Sequence, residues 1–529
     1  ASVPTALRLA SSTTYNIPLG MPAGTYPVPF DFPTSGQTPL SVGSYYWIVI
    51  DRLSGASALV GKMGPAVNYP GGVRKSRPDT SSAWGNPPAP NTNQDRLCYA
   101  VYGLPPGDWD DPNGHGTHTA GSVLGSGAAS PVPGQFRGSA YGAYLVHQSL
   151  QDAFGSLGGI PSDIGDLFEQ TRALDAYVHS DSWGSDVSGD YTTDSENLDA
   201  YVWNHPEFLP VFAAGNAGRD NSPANGVIDA GSMGSPASAK NCLTVGASES
   251  VRSGVGYNIP WGTGSWAPRY PNEPIKSDHV SNNYNGMAAF SSRGPCADGR
   301  VKPDVVAPGT NIVSALSKAP GAGTGWGPHS DPDYCYNGGT SMACPLAAGA
   351  AVLVREYFVE RRSHVPSAAL MKATLIHGAT DMAPGQYGTG STQELQPVPD
   401  FSQGWGRVNL YRSLFPVVHG LNGNYLDATA ANGLALNNTA GGQSRVARVQ
   451  VGGTSAPLKA TLVWTDPPAN AAGAGGLIND LDLRIYRLDP TGTFREATYL
   501  PKQPGGPAAD DAVNNVEQVE VDGTNLVVG

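Results

Sequence analysis

The sequence is short of positive charge. Its 31 Lys and Arg stand against 44 Asp and Glu, a net charge of −13. That balance argues against nucleic acid and against anionic membranes as partners. Cysteine is also scarce: Cys98, Cys242, Cys296, Cys335 and Cys344 are the five in the chain. Their spacing matches no zinc pattern. The odd count leaves at least one thiol free; one or two disulfides among the others stay open, and sequence does not give their pairing. No apolar run approaches the length of a membrane span. The chain starts Ala-Ser-Val-Pro, with neither Met nor a leader, and reads as a processed mature chain. Long internal repeats and low-complexity tails are missing too, which excludes a repeat architecture.

Glycine and proline are plentiful, at 68 and 46 residues, the mark of many turns and loops. With 529 residues, 40% of them hydrophobic, the chain is too long for one ordinary core, and two or three domains are expected. Residues 1–42 are rich in Pro, Gly, Ser and Thr without a helical period, and read as an extended arm on the next domain. Tyr45-Tyr46-Trp47-Ile48-Val49-Ile50-Asp51 is aromatic and β-branched and predicts a strand ending on an acid. Residues 52–96 read as a long irregular segment.

From about residue 97 strands alternate with helices. Strand-like runs lie at 97–102, 143–149, 209–214 and 242–247. Ile164, Leu167, Phe168, Thr171, Leu174 and Val178 fall at helical spacing over 162–178, and a short helix is expected near 196–203. This pattern predicts an α/β domain over residues 43–417, a parallel sheet with helices on both faces and right-handed crossovers. Helices at 341–362 and 367–379 close it. From 418 to 529 apolar runs become short and alternating, at 445–451, 458–464, 481–486 and 516–521. They predict an all-β antiparallel sandwich or jelly roll.

The chemistry centres on Gly339-Thr340-Ser341-Met342-Ala343-Cys344-Pro345, followed by the small and apolar run Leu346 to Val354. That run is hydrophobic nearly all round and predicts a buried helix, with the proline in its first turn, where it is tolerated. Ser341 would sit at the helix mouth, where the dipole favours negative charge and a serine can act as nucleophile. An ordinary N-cap is the plainer alternative for a lone serine. Asn113-Gly114-His115-Gly116-Thr117-His118 offers an imidazole to take its proton. Val211-Phe212-Ala213-Ala214-Gly215-Asn216 reads as a buried strand running into a turn whose amide can donate to an oxyanion. Cys344 reads as a small core residue.

These three stretches, in this order, resemble the subtilisin-like serine proteases, the subtilases. The resemblance extends to Phe290-Ser291-Ser292-Arg293-Gly294-Pro295, to Lys302-Pro303-Asp304, and to Gly404-Trp405-Gly406-Arg407-Val408. The tail motifs Leu462-Val463-Trp464-Thr465-Asp466-Pro467 and Asn479-Asp480-Leu481-Asp482-Leu483 are similar to the branch of alkaline subtilases with a C-terminal jelly roll, a domain that usually runs further than this chain does. The resemblance implies a secreted serine endopeptidase that acts on polypeptides through an acyl-enzyme and needs no catalytic cofactor. His115 would be the general base, and Asn216 with the Ser341 N–H the oxyanion hole. Ser182-Trp183-Gly184 would pair with an extended substrate strand. Ala213-Ala214-Gly215 would form another side of the specificity pocket, and His118 would be structural.

The triad acid has two candidates. In the family it ends a buried strand and is followed by Ser or Thr and then Gly. Asp51 has the strand but is followed by Arg52-Leu53; Asp79 is followed by Thr80-Ser81 but preceded by the basic, proline-bounded run Val73 to Pro78. A triad acid must be buried and aimed, which selects Asp51 with Asp79 as the alternative. Asp110 and Asp111 are expected only to shape a turn. Asp466, Asp480 and Asp482, with Asn479 and Glu517, suggest a structural calcium site; a solvated acidic face is the alternative. Asn437-Asn438-Thr439 is a glycosylation sequon, meaningful only in a eukaryotic secretory pathway. A catalytically idle subtilase-like scaffold is the rival function. Oligomeric state is not legible.

Overall fold

Two runs, Leu209–Ala213 and Leu243–Ser248, are buried at every position, as parallel strands covered on both faces must be. They form the middle of the structure. The computed structural model describes Val101–Tyr102 and residues 111–528, apart from 133, 152–155, 253, 391–392, 416–422, 429–443, 474, 490–491 and 493. The arm at 1–42, the strand expected at 45–51, and with them Asp51, Asp79, Cys98 and Asn437, lie outside the described residues.

In chain order the elements are β1 (Val101–Tyr102), α1 (His115–Leu124), β2 (His147–Gln148), α2 (Gly165–Arg172), β3 (Val178–Asp181), β4 (Ser185–Asp186), α3 (Thr193–Asn204), β5 (Leu209–Ala213), β6 (Gly234–Ser235), β7 (Leu243–Ser248), β8 (Val305–Pro308), β9 (Ile312–Ala315), β10 (Gly327–Pro328), β11 (Tyr334–Asn337), α4 (Thr340–Arg362), α5 (Ala368–Gly378) and α6 (Leu410–Leu414). Strands β12 (Leu458–Val463), β13 (Ile485–Leu488), β14 (Arg495–Tyr499) and β15 (Val516–Val521) make up the tail. The helix expected over 162–178 is shorter than its apolar spacing suggests. It stops at Arg172, Asp175 takes a left-handed conformation with φ 62, and Val178 already belongs to β3.

The central sheet has the order β3-β5-β7-β8 and is parallel throughout. Val178 faces Leu209, Val211 faces Leu243, and Val245 faces Val305. Helix α4 packs across all four strands and against α1. Small residues make the approach to α1 close: a Cβ added at Gly349 would lie 3.1 Å from the Val123 carbonyl oxygen. The α/β architecture expected from the alternating pattern is therefore present. By length and composition α4 could cross a membrane, which corrects the expectation that no apolar run is long enough. Its Ala343, Ala347, Ala351 and Val354 are nonetheless buried in the core beneath the sheet.

Cys242, Cys296, Cys335 and Cys344 are free, buried thiols, so no disulfide forms among the described residues. Cys344 is core, as read, its thiol donating to the carbonyls of Val211 at 3.2 Å and Asp181 at 3.5 Å.

In the tail, β12 pairs with β15 and β13 with β14, both antiparallel. The run at 445–451 is not a strand: Val446 and Val449 stand 82% and 65% exposed, with no sheet face to bury them. Apolar packing crosses the expected boundary at 418. Val516 belongs to the same apolar cluster as the parallel sheet, and Val463 packs against it.

Candidate active site

Ser341 is the second residue of α4. The helix is entered through Gly339 at φ +144, a conformation that side-chain-bearing residues rarely adopt. Pro345 is the sixth helical residue, not part of the first turn as expected. Having no N–H, it cannot bond the carbonyl four residues earlier, which is that of Ser341. The freed carbonyl accepts the Ser182 hydroxyl at 2.8 Å, and the Ser341 hydroxyl donates back to the Ser182 carbonyl at 3.2 Å. A proline that would normally weaken a helix thus couples the serine to the strand exit after β3. The Ser341 N–H belongs to the orphan donors of the first helical turn.

Asn216 follows the buried end of β5. Its Oδ1 accepts the Thr340 N–H at 2.9 Å and the Thr340 hydroxyl at 3.1 Å. A backbone N–H can only donate, so the amide orientation is fixed and Nδ2 is left as a donor. Gly339 passes close by: a Cβ there would lie 3.7 Å from Nδ2. Thr340 is therefore the residue that aims Asn216. It lies inside the serine motif, and its pairing with Asn216 across 124 residues leaves no sequence signal.

His115 opens α1. Gly114 caps that helix, and just before it the Asp111 carboxylate accepts the Gly114 N–H, the Thr117 N–H and the Thr117 hydroxyl, each at 2.8 Å. Asp111 does more than shape the turn. Burial holds the His115 pKa below its ordinary 6.5, and the charge of Asp111 works against that depression. His147, on β2, is held below its ordinary value for the same two reasons. No hydrogen bond joins the His115 ring to Ser341, or to a carboxylate among the described residues. His118 is buried with Nε2 on the Ile312 carbonyl at 3.1 Å, and burial pushes its pKa down to about 4. It is a neutral core histidine.

The remaining expected residues separate by exposure. Trp183 packs edge-on to Phe212 and donates from its indole to Asp181 at 3.0 Å. Gly184 is exposed beside Ser235. Ala213 and Ala214 are buried, Ala214 completely. Of Ala213-Ala214-Gly215, Gly215 is the one that keeps accessible surface.

Asp466 does not behave as a cation ligand. It is fully buried, accepts the Ile478 and Asn479 N–H groups at 2.9 and 2.8 Å, and pairs with Lys240 at 2.8 Å. Its oxygens are already occupied and an ammonium stands beside them, so the calcium set expected from sequence is corrected at this position. Asp482 pairs with Arg484 at 3.2 Å. Among the described residues no three His, Cys, Asp or Glu side chains form a group able to hold a metal ion. One feature of the acidic region still suits a cation. Glu517 takes the Leu483 N–H on Oε2 at 2.6 Å, while its buried Oε1 has no partner. Burial, with Asp511, Asp482 and Asp480 nearby, pushes its pKa up to about 8.

The profile of the Subtilase family matches residues 71–406. That range takes in Asp79, His115, Asn216 and Ser341 and leaves out Asp51. The serine protease/ABC transporter B family protein tagA of Dictyostelium discoideum is 28% identical over 79% of this chain and 27% of its own length. Serine protease AprX of Bacillus subtilis is 28% identical over 55% of this chain and 58% of its own. This chain thus spans about a quarter of tagA. The solved structure of sphericase covers 56% of this chain and 78% of its own at 23% identity, with a TM-score of 0.38.

Proposed function

The chain belongs to the subtilase family, and on that premise we propose that it is a serine endopeptidase hydrolysing peptide bonds through an acyl-enzyme. The observation that carries this reading is the Ser341–Thr340–Asn216 arrangement. The serine stands at the mouth of a buried helix, and the neighbouring amide is locked by Thr340 with Nδ2 as its remaining donor group.

In this mechanism His115 takes the proton of Ser341 as its oxygen attacks the substrate carbonyl. The hydroxyl must turn from the Ser182 carbonyl, a single hydrogen bond of 3.2 Å. Asn216 Nδ2 and the Ser341 N–H stabilise the developing oxyanion. One such donor contributes ~3–4 kcal/mol in the transition state. His115 then protonates the leaving amine, and water, activated by the same imidazole, releases the acid product. Substrate lies extended along Ser182-Trp183-Gly184. The acid that orients His115 is Asp51, with Asp79 as the alternative: strand character supports the first, the reach of the family match supports the second. A structural calcium in the tail would have to draw Asp480, Asp482 and Glu517 together, without Asp466, because these side chains do not converge into a metal group. Action outside the cell, and completion of the tail into a jelly roll, rest on the family resemblance.

A fluorophosphonate probe should label the folded chain on the peptide containing Ser341, and Ser341→Ala should abolish both labelling and peptide hydrolysis. A chain that stays unlabelled, under conditions where a control subtilase reacts, is a scaffold and not an enzyme.

A further inference from the structure

The turn that carries Asn216 is held from outside the reacting centre by side chains that no sequence motif singled out. Three consecutive carbonyls of this turn each accept a side-chain donor. Arg269 Nη2 donates to the Asn216 carbonyl at 2.8 Å, Arg219 Nε to the Ala217 carbonyl at 3.3 Å, and the Tyr270 hydroxyl to the Gly218 carbonyl at 3.0 Å. The N–H groups point the other way, into the fold: Gly215 to the Thr340 hydroxyl, Ala217 to the Ser292 hydroxyl and Gly218 to the Phe290 carbonyl. A turn with its peptide groups bonded on both sides cannot swing its side-chain amide without breaking several bonds at once.

Arg219 belongs to the turn itself, whereas Arg269 and Tyr270 come from a rigid platform. Arg269 lies over the Trp266 ring at 5.7 Å, a stacking that suits a planar guanidinium. Trp266 and Tyr270 stack at 6.0 Å, and Trp261 meets both edge-on at 5.4 Å. Tyr270 and Trp261 are fully buried. The Asp220 N–H also donates to the Arg269 carbonyl at 2.9 Å, so the far end of the turn is stitched to the same segment.

We infer that Arg269 is a positioning residue for the oxyanion amide: with Tyr270 and Arg219 it clamps the Gly215–Gly218 turn so that Asn216 Nδ2 is aimed before substrate arrives. This rests on the protease reading. Transition-state donors are effective because they need no reorganisation at the moment of reaction, so a loosened turn costs turnover and not substrate binding.

The test is steady-state kinetics of the full chain on a peptide substrate, with melting measured alongside. Arg269→Ala should lower kcat roughly tenfold, less than the ~10²–10³ of a donor removed outright, with KM and the melting temperature unchanged. Arg269→Lys should recover part of the loss, since an ammonium can donate to the carbonyl but does not stack as a plane. Tyr270→Phe, which removes only the hydroxyl, should lower kcat in the same way. In an Asn216→Ala background, Arg269→Ala should cost nothing further, because the amide it aims is gone. Equal losses in both backgrounds, or a fall in melting temperature matching the loss of activity, would mean a general structural role and overturn the inference. So would an active wild type whose Arg269→Ala variant keeps full kcat. A wild type that neither cleaves peptide nor reacts with fluorophosphonate overturns the protease reading and this inference together.

Discussion

In the proposed mechanism His115 sets the pH at which the site can work. It must be neutral to accept the serine proton, and burial already favours the neutral ring, with Asp111 opposing less strongly. As pH falls the ring protonates and activity is lost, so a depressed pKa extends activity toward acid. The acid limb of kcat/KM should therefore have its midpoint below 6.5, the ordinary histidine value. Asp111→Asn removes the opposing charge and should move the limb further down. A limb above 6.5 would mean that the triad carboxylate, which stabilises imidazolium, outweighs burial at the ring. The same residue-scale reasoning separates the two candidate acids. A buried triad carboxylate fixes the imidazole tautomer, and its loss costs ~10⁴-fold in turnover with binding largely kept. Asp51→Asn should show that loss while folding normally, and Asp79→Asn should cost little. The reverse result would move the triad to Asp79.

Two elements do work that their propensity does not suggest. Helix α4 contains a proline beyond its first turn, and the hydrogen bond it cannot make is the one that frees the Ser341 carbonyl for Ser182. In the tail, β15 buries Glu517 with one oxygen unpartnered and several acids around it. The acids do not converge into a ready cation cage, so binding would have to draw Asp480, Asp482 and Glu517 together. A ligand that binds the native state alone raises stability by mass action. If calcium binds there, the melting temperature should climb with its concentration, and Glu517→Gln should flatten the response. Chelator that leaves the melting curve of the wild type unchanged would favour the solvated acidic face.

Across the whole molecule, the tail is fastened to the α/β part by buried polar bonds as well as by Val463 and Val516. Lys240 is fully buried, pairs with Asp466 at 2.8 Å and donates to the carbonyls of Pro467 and Gly476. Asn241 exchanges hydrogen bonds with the Asp466 backbone, and Asn515 reaches the Lys240 carbonyl. Next to this junction, Asp304 bridges the buried ammonium groups of Lys302 and Lys372. Burial alone would raise its pKa, but the two lysines outweigh that and hold it below the ordinary value. Asp466→Ala should strand the Lys240 charge and cost ~3–5 kcal/mol in denaturant unfolding. The double variant Lys240→Met, Asp466→Leu should recover part of it, because it removes the stranded charge but also takes a partner from the Pro467 and Gly476 carbonyls and the Ile478 and Asn479 N–H groups. An Asp466→Ala variant as stable as wild type would mean that the tail is not fastened here.

The local pattern in the sequence determined the family resemblance, the alternating α/β order, the buried strands and the motifs around Ser341 and Asn216. Leu209–Ala213 and Thr340–Arg362 could be read because burial and helical spacing are written into neighbouring residues. It did not determine that Thr340 holds Asn216, that Ser182 is coupled to Ser341, or that Arg269 grips the Asn216 turn. Each of these joins positions 53 to 159 residues apart, and hydrogen bonds across such separations leave no periodicity to read. The acidic tail misled for a related reason. Asp466 looks like Asp480 and Asp482 along the chain, but only the folded structure brings Lys240 to it across 226 residues, turning a candidate cation ligand into half of a buried ion pair.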